Sequence, residues 1–240
     1  MAKKRVLITG GSGFIGRNLV ERLSKKHEVS SPPHSELDLT DSGAVEGYLK
    51  KNHFDVVVHA AGVGSSRKNS DSREMLGANI RQFYNLVCCR EAFGRMIQLG
   101  SGAEYDKSRP IVNVREEEFG KSIPKDDYGF YKYACSRFIE NSENIACIRP
   151  FGCYGKYEDY ETRFISNSIC RVLFGLPPVI RNRNVVFSYL FVDDLAKVVD
   201  SFIKKEPKHK FYNVTPDEKT DLLSISNKII KVSGKKLEVV

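Results

Sequence analysis

Thr9-Gly10-Gly11-Ser12-Gly13-Phe14-Ile15-Gly16 follows the apolar run Val6-Leu7-Ile8 and leads into Leu19, Val20 and Leu23 at helical spacing. It reads as the turn between a first strand and a first helix. Gly10, Gly13 and Gly16, spaced G-x-x-G-x-x-G, let a backbone turn tightly and approach a large ligand without interference from Cβ atoms. The helix that follows offers unpaired N–H groups and a partial positive charge to a pyrophosphate. A glycine-rich match alone is a weak signal, because such a turn also serves simple helix–strand packing. The strand before it and the helix after it are the context that marks a dinucleotide-binding turn.

The chain has 240 residues, 41% of them hydrophobic, enough for one large α/β domain or one domain with a small lobe. No apolar run approaches the roughly 18 residues of a membrane span. The basic start, Met1-Ala2-Lys3-Lys4-Arg5, runs into a short strand and lacks the apolar core and cleavage site of a signal peptide. A cytoplasmic protein without membrane contact is expected. The six cysteines form no C-x-x-C pair and have no histidine at zinc-ligand spacing, so they read as reduced packing residues with no metal. The net charge of +8 is spread along the chain, which favours a small phosphate-bearing ligand over nucleic acid.

Strand–helix alternation continues from there. Strands are expected at 4–8, 27–31, 54–60, 95–99 and 145–148, and helices at 14–26, from Thr40 or Asp41 through Leu49, at 71–92 and at 128–140. In the long helix, Leu76, Ile80, Phe83 and Val87 share one face. This pattern predicts a Rossmann-type doubly wound parallel sheet over residues 1–150. After Pro150 the alternation loosens. Helices at 163–173, 195–203 and 222–232 and strands at 179–180, 185–191, 211–214 and 237–240 predict a small C-terminal substrate lobe, 151–240, interleaved with the main domain.

Two further motifs carry chemistry. In Tyr128-Gly129-Phe130-Tyr131-Lys132, an i, i+4 spacing puts Tyr128 and Lys132 on one helix face. A nearby ammonium favours the phenolate, bringing a phenol within reach of acid–base work. Taken alone, this spacing is common and is met on ordinary surface helices. In Leu99-Gly100-Ser101-Gly102-Ala103-Glu104-Tyr105, Ser101 stands at the carboxyl end of a parallel strand, the edge where such sheets bind ligands. Its hydroxyl is placed to polarise a carbonyl, or merely to cap a loop.

Together these pieces resemble the NAD-dependent epimerase/dehydratase family, the extended branch of the short-chain dehydrogenases/reductases. His59-Ala60-Ala61-Gly62, Asn79, Arg149-Pro150-Phe151-Gly152-Cys153-Tyr154-Gly155 and Val192-Asp193-Asp194-Leu195-Ala196 are similar to family motifs in the same order. The segment from Ser35 to Ala61, with Glu36 to Asp41 matching most closely, looks most like the nucleotide-sugar reductases and epimerase-reductases, such as GDP-fucose and dTDP-rhamnose enzymes. The resemblance implies that Gly10, Gly13, Phe14, Ile15 and Gly16 hold the pyrophosphate. It puts Asp38 and Leu39 near the adenine, and Ala60, Ala61, Gly62 and Asn79 along the cofactor. It makes Tyr128 the acid/base, Lys132 its activator and ribose ligand, and Ser101 an aid at the reacting carbonyl. A nucleotide sugar is the implied substrate. A homodimer through the helices at 71–92 and 128–140 is implied as well.

Departures narrow the reading. No acid closes the second strand, and Ser30, Ser31 and Arg17 suit a 2′-phosphate, so NADP is expected ahead of NAD. The family's Asn in R-P-x-N-x-Y-G is Gly152, and the Arg that grips the substrate diphosphate is Phe187, with Arg163, Arg181 or Arg183 as replacements. The dehydratase acids are absent at Gly102-Ala103, and the fucose-synthase Cys falls at Ala103. Carbonyl reduction or C4 epimerisation by hydride transfer is what remains. The alternatives are a non-catalytic NAD(P)-binding regulator and an RNA-binding protein on the same fold.

Overall fold

The computed structural model describes residues 2–64, 73–109, 111–181 and 183–240, and of Arg73 only the backbone. In chain order the elements begin β1 (Arg5–Thr9), α1 (Phe14–Leu23), β2 (Glu28–Ser30), α2 (Ser42–Asn52), β3 (Phe54–His59), α3 (Arg73–Cys88), β4 (Phe93–Leu99), α4 (Asp127–Ile139) and β5 (Ile145–Pro150). They continue with α5 (Phe164–Leu173), β6 (Val186–Phe187), α6 (Val192–Lys204), β7 (Phe211–Val214), β8 (Thr220–Asp221) and α7 (Leu222–Ser233).

Six strands form one parallel sheet in the order β2-β1-β3-β4-β5-β7. This is the expected Rossmann-type doubly wound sheet. Each central strand is apolar on both faces because both are covered by helices. Val6, Ile8, Val56, Val58 and Ile97 pack with Leu19 and Leu23 of α1 and Leu195, Val199 and Ile203 of α6. Leu7, Val57 and Met96 face the other way, onto Val45 and Leu49 of α2, Phe83 and Leu86 of α3 and Cys135 and Ile139 of α4. β7 extends the sheet beyond β5, so the chain after Pro150 contributes to both the sheet and its helical cover. A separate antiparallel pair, β6 with β8, lies in the C-terminal part.

Several boundaries differ from expectation for identifiable reasons. Asp41 is the N-cap of α2, accepting from Ala44 N at 3.0 Å. The start of the helix expected at 71–92 falls outside the described residues. Its described part ends at Cys88, and a 3₁₀ turn, Arg90–Ala92, follows. Its buried face is Met75, Asn79, Gln82, Phe83, Leu86 and Val87, with Leu76 and Ile80 half-buried at the margin. The strands expected at 179–180 and 237–240 do not form. Only Ile180 N to Val240 O, 2.6 Å, and Val240 N to Pro178 O, 2.9 Å, link those segments. Pro177 and Pro178 have no N–H, so no longer ladder can build there. Of the stretch 185–191, only Val186–Phe187 is strand, and Phe191 instead N-caps α6.

Candidate active site

β1 lies between β2 and β3, so the chain leaves the sheet in opposite directions on its two sides. Ligands of open α/β sheets bind in the crevice at such a reversal. Gly10 opens the turn there with φ of +71°, and a Cβ on it would fall 2.5 Å from Ala61 Cα. Only glycine meets both conditions. Gly13 N-caps α1 without a side-chain acceptor, leaving Phe14, Ile15 and Gly16 as the first helical turn. Backbone donors at a helix N-terminus, with no side chain in front of Gly13, suit a pyrophosphate.

The facing wall is built from the end of β3. Thr9 Oγ1 accepts from Ala61 N at 3.2 Å and pairs with His59 Nδ1 at 2.8 Å. His59 is fully buried. Burial, helped by the Lys132 charge, lowers its pKa to about 3, so it is a neutral linker at pH 7. Ala60 and Ala61 are half-buried beside the turn and Gly62 is exposed. Asn79, expected along the cofactor, spends its amide on the loop. Its Oδ1 accepts from Val63 N at 2.8 Å and its Nδ2 donates to Val63 O at 3.0 Å. Asp38 Oδ1 accepts from Thr40 N and Thr40 Oγ1, at 2.8 and 2.7 Å, and these bonds hold its carboxyl below the usual range. Leu39 is buried, and its carbonyl accepts from Asn85 Nδ2 at 2.9 Å.

Two of the groups expected to suit a 2′-phosphate are already engaged. The Arg17 guanidinium lies 3.7 Å from the centre of the Tyr157 ring, and Ser31 Oγ donates to Ile8 O at 2.7 Å.

Helix α4 starts on Asp126, which accepts from Gly129 N at 2.9 Å. Tyr128 is half-buried in its first turn and Lys132 is buried one turn later. Lys132 Nζ donates to Leu99 O, the last residue of β4 and two before Ser101. Burial by itself disfavours its charge, but the Tyr131 and Tyr128 phenols outweigh that and raise its pKa above the ordinary range. Tyr131 is buried, and its own pKa is raised, chiefly by that burial. Its hydroxyl lies 3.4 Å from where a Gly62 Cβ would stand. A second tyrosine directly before Lys132 was the available signal for this residue, and spacing to Tyr128 drew attention away from it.

Ser101 N-caps a 3₁₀ turn, Gly102–Tyr105, and its Oγ accepts from Ala103 N at 3.1 Å. A hydroxyl engaged as an acceptor still has its own proton to donate. The turn is anchored by Glu104, which sequence reasoning passed over. Glu104 Oε1 accepts from Ser101 N at 2.9 Å, and Oε2 accepts from Arg149 Nε at 2.6 Å and Ser136 Oγ at 2.7 Å. Glu104 and Arg149 are both fully buried, and Phe119 and Phe211 flank the guanidinium at 4.4 Å each. One carboxylate thereby ties Ser101 to α4 through Ser136 and to β5 through Arg149. An arginine closing the apolar run Ile145–Ile148 was the clue. A hollow of about 300 Å³ lined by Arg95, Asn144 and Lys210 lies at the opposite, amino-terminal edge of the sheet, away from these groups.

The model of the NAD dependent epimerase/dehydratase family matches residues 6–215. The chain belongs to this family. It is 37% identical over 107 residues to a GDP-L-fucose synthase of Azorhizobium caulinodans, covering 42% of the chain and 34% of that protein. It is 31% identical over 174 residues to a GDP-L-colitose synthase of Yersinia pseudotuberculosis, covering 65% of the chain and 55% of that protein. The matches thus span about a third and just over half of those two relatives. Among solved structures, a UDP-glucose 4-epimerase of Thermus thermophilus in complex with NAD superposes with a TM-score of 0.80 at 25% identity, over 98% of this chain and 85% of that one. A GDP-D-glycero-L-gluco-heptose synthase of Campylobacter jejuni shares the fold, with a TM-score of 0.85 at 16% identity, over 100% and 88%. Among the described residues, no helix is long and apolar enough to cross a membrane, and no His, Cys, Asp and Glu group could hold a metal ion.

Proposed function

We propose that the chain is an NAD(P)-dependent reductase or epimerase acting on a nucleotide-activated sugar. The observation that carries this reading is the joining of α4 to the end of β4. Lys132 donates to Leu99 O, Tyr128 stands one turn earlier on the same helix, and Ser101 follows Leu99 by two residues. The sugar follows from the relatives, whose names carry GDP-L-fucose, GDP-L-colitose and UDP-glucose.

A nicotinamide cofactor, its pyrophosphate held by the Gly10–Gly16 turn, would supply the hydride chemistry. The chain's own groups manage the proton and the oxygen. Tyr128 Oη gives its proton to, or takes it from, the oxygen on the reacting sugar carbon. The Lys132 ammonium stabilises the phenolate that results, and Leu99 O keeps it from swinging into solvent. The Ser101 hydroxyl donates to the same oxygen and fixes its direction. Glu104 holds Ser101 in register from beneath. Gly102 and Ala103 stand where an acid pair for dehydration would be needed, so the reading is limited to hydride transfer.

The test is incubation with NADPH and a panel of 4-keto nucleotide sugars, following loss of reduced cofactor, together with NMR of 4-hydroxy nucleotide sugars kept with NAD. Turnover in either arm that disappears in Tyr128→Phe is expected. Bound cofactor with no turnover in either arm would count against the reading.

A further inference from the structure

Two glycines on the carboxyl-edge loops are covered by rings from elsewhere in the chain. A Cβ on Gly102, directly after Ser101, would fall 2.5 Å from both Phe151 Cδ1 and Cε1. A Cβ on Gly152 would fall 2.6 Å from Phe187 Cε1 and 2.5 Å from Ser188 O, and Gly152 has φ of +43°. A polar or charged side chain at either position therefore collides with a phenyl ring, and at 152 it also meets unfavourable backbone. The rings fall in two sets. Phe151 stacks on Tyr105 with centroids 6.3 Å apart, Phe187 lies 5.5 Å from Tyr189, and Tyr189 lies 6.5 Å from Tyr154. Phe151 lies against Gly102, next to Ser101, and Phe187 lies against Gly152, so the two sets border consecutive residues where the chain leaves β5 and together form the wall of the candidate site.

Phe151, Tyr154 and Tyr189 are half-buried, and Phe187 is the exposed ring of the wall. Tyr105 is 9% exposed, whereas Phe187 is 42% exposed. The Phe187 ring rests on the Gly152 backbone on one side and leaves apolar surface open to water on the other. A phosphate brought against that surface would lose hydration and gain no donor. A planar π-system would instead displace water from both faces and gain stacking.

We propose that Phe187 is a specificity-determining residue whose exposed ring stacks on the nucleobase of the substrate, so that this wall reads the substrate by stacking instead of by charge. The proposal rests on the nucleotide-sugar reading above and names how that site takes its ligand. Gly152 is its necessary companion, because only glycine leaves room for the ring. Stacking is tolerant of base identity, since every base has a π-face. The wall thus sets the class of ligand, and other contacts choose among bases.

The chain contains no tryptophan, so Phe187→Trp places one indole in the wall as its sole reporter. With the cofactor site saturated by NADP, the variant is titrated with uridine, thymidine and guanosine, and separately with pyrophosphate and with glucose. Saturable quenching by the nucleosides and none by pyrophosphate or glucose is expected. Quenching by pyrophosphate or glucose but not by nucleosides would overturn the proposal, as would no quenching at all. In parallel, Phe187→Ala should raise KM for a turned-over nucleotide sugar roughly tenfold with kcat little changed, and Phe187→Tyr should restore it. A fall in kcat at constant KM would mean that the ring serves only the fold of the loop. The two readings fail separately. Turnover without nucleoside quenching refutes the wall alone, and quenching without turnover refutes the enzymatic reading alone.

Discussion

The Lys132 ammonium lies 5.0 Å from the centre of the buried Tyr131 ring, and that ring meets Tyr128 edge-on with centroids 5.4 Å apart. Two phenols therefore flank one cation, and their tasks should separate on mutation. Tyr128→Phe removes the group proposed to move the proton, and kcat should fall by about 10²- to 10⁴-fold with cofactor affinity retained. Tyr131→Phe removes only a hydrogen-bonding hydroxyl beside Lys132 and Gly62. Cofactor affinity should weaken by roughly tenfold, the scale of one hydrogen bond to a charged group, with kcat lowered far less. Steady-state kinetics and cofactor titration of both variants check this, and the opposite pattern would exchange the two roles.

Glu104 and Arg149 pair with both side chains fully buried. Removing one partner leaves an uncompensated buried charge. Glu104→Ala should therefore cost about 3–5 kcal/mol in urea unfolding. Ser136→Ala deletes one hydrogen bond to the same carboxylate and should cost about 1 kcal/mol. Because Ser101 N also bonds Glu104, a folded Glu104→Gln variant should lose more in kcat than in KM. Equal stability of Glu104→Ala and the parent would refute the buried-anchor role.

Asp200 on α6 joins that helix to the α1–β2 connection through Lys26 at 2.6 Å and His27 Nε2 at 2.8 Å, with Lys204 at 2.8 Å on its own helix. Burial alone would raise its pKa, but the bonds from Lys204, Lys26 and His27 outweigh that and hold it well below the ordinary carboxylate range. A depressed folded pKa contributes stability above the unfolded value, about 3.9, and loses it as pH falls toward the folded value. The stability gap between the parent and Asp200→Asn should thus be open near neutral pH and begin to close below about pH 4. Thermal unfolding across that range measures it, and a gap that widens in acid would contradict the sign.

The end of the second strand bears on cofactor choice. β2 ends at Ser30 with Ser31 and Pro32 following, and none of these is an acid that would repel a 2′-phosphate. Arg17 lies on the Tyr157 ring, and we propose that the missing repulsion turns the choice toward NADPH. NADPH should exceed NADH in kcat/KM by roughly tenfold, the worth of about 1.4 kcal/mol. A ratio of one or below would reverse the assignment.

The doubly wound sheet was legible because its signals are local. The apolar runs of β1, β3 and β4, the glycine turn at Gly10–Gly16 and the Asp41 cap each act within a few residues. The Tyr128–Lys132 spacing was legible for the same reason. Failures came where neighbours in space are far apart in sequence. Pro177 and Pro178 stopped the strand at 179–180 that alternation alone suggested. Arg17 looked free of partners, yet its guanidinium lies on the ring of Tyr157, 140 positions downstream.

By itself, then, the sequence determined the family, the glycine turn after β1 and the placing of Tyr128 and Lys132 on one helix, since turn geometry, helix periodicity and strand burial follow from adjacent residues. Only the tertiary structure decided what lies against those elements. It brought Glu104 under Ser101 through Arg149, turned Asn79 onto Val63, and set Phe151 over Gly102 and Phe187 over Gly152. The contacts of Glu104 with Arg149, Gly102 with Phe151 and Gly152 with Phe187 join segments far apart in sequence, and in the last two a missing Cβ is the space filled by a ring.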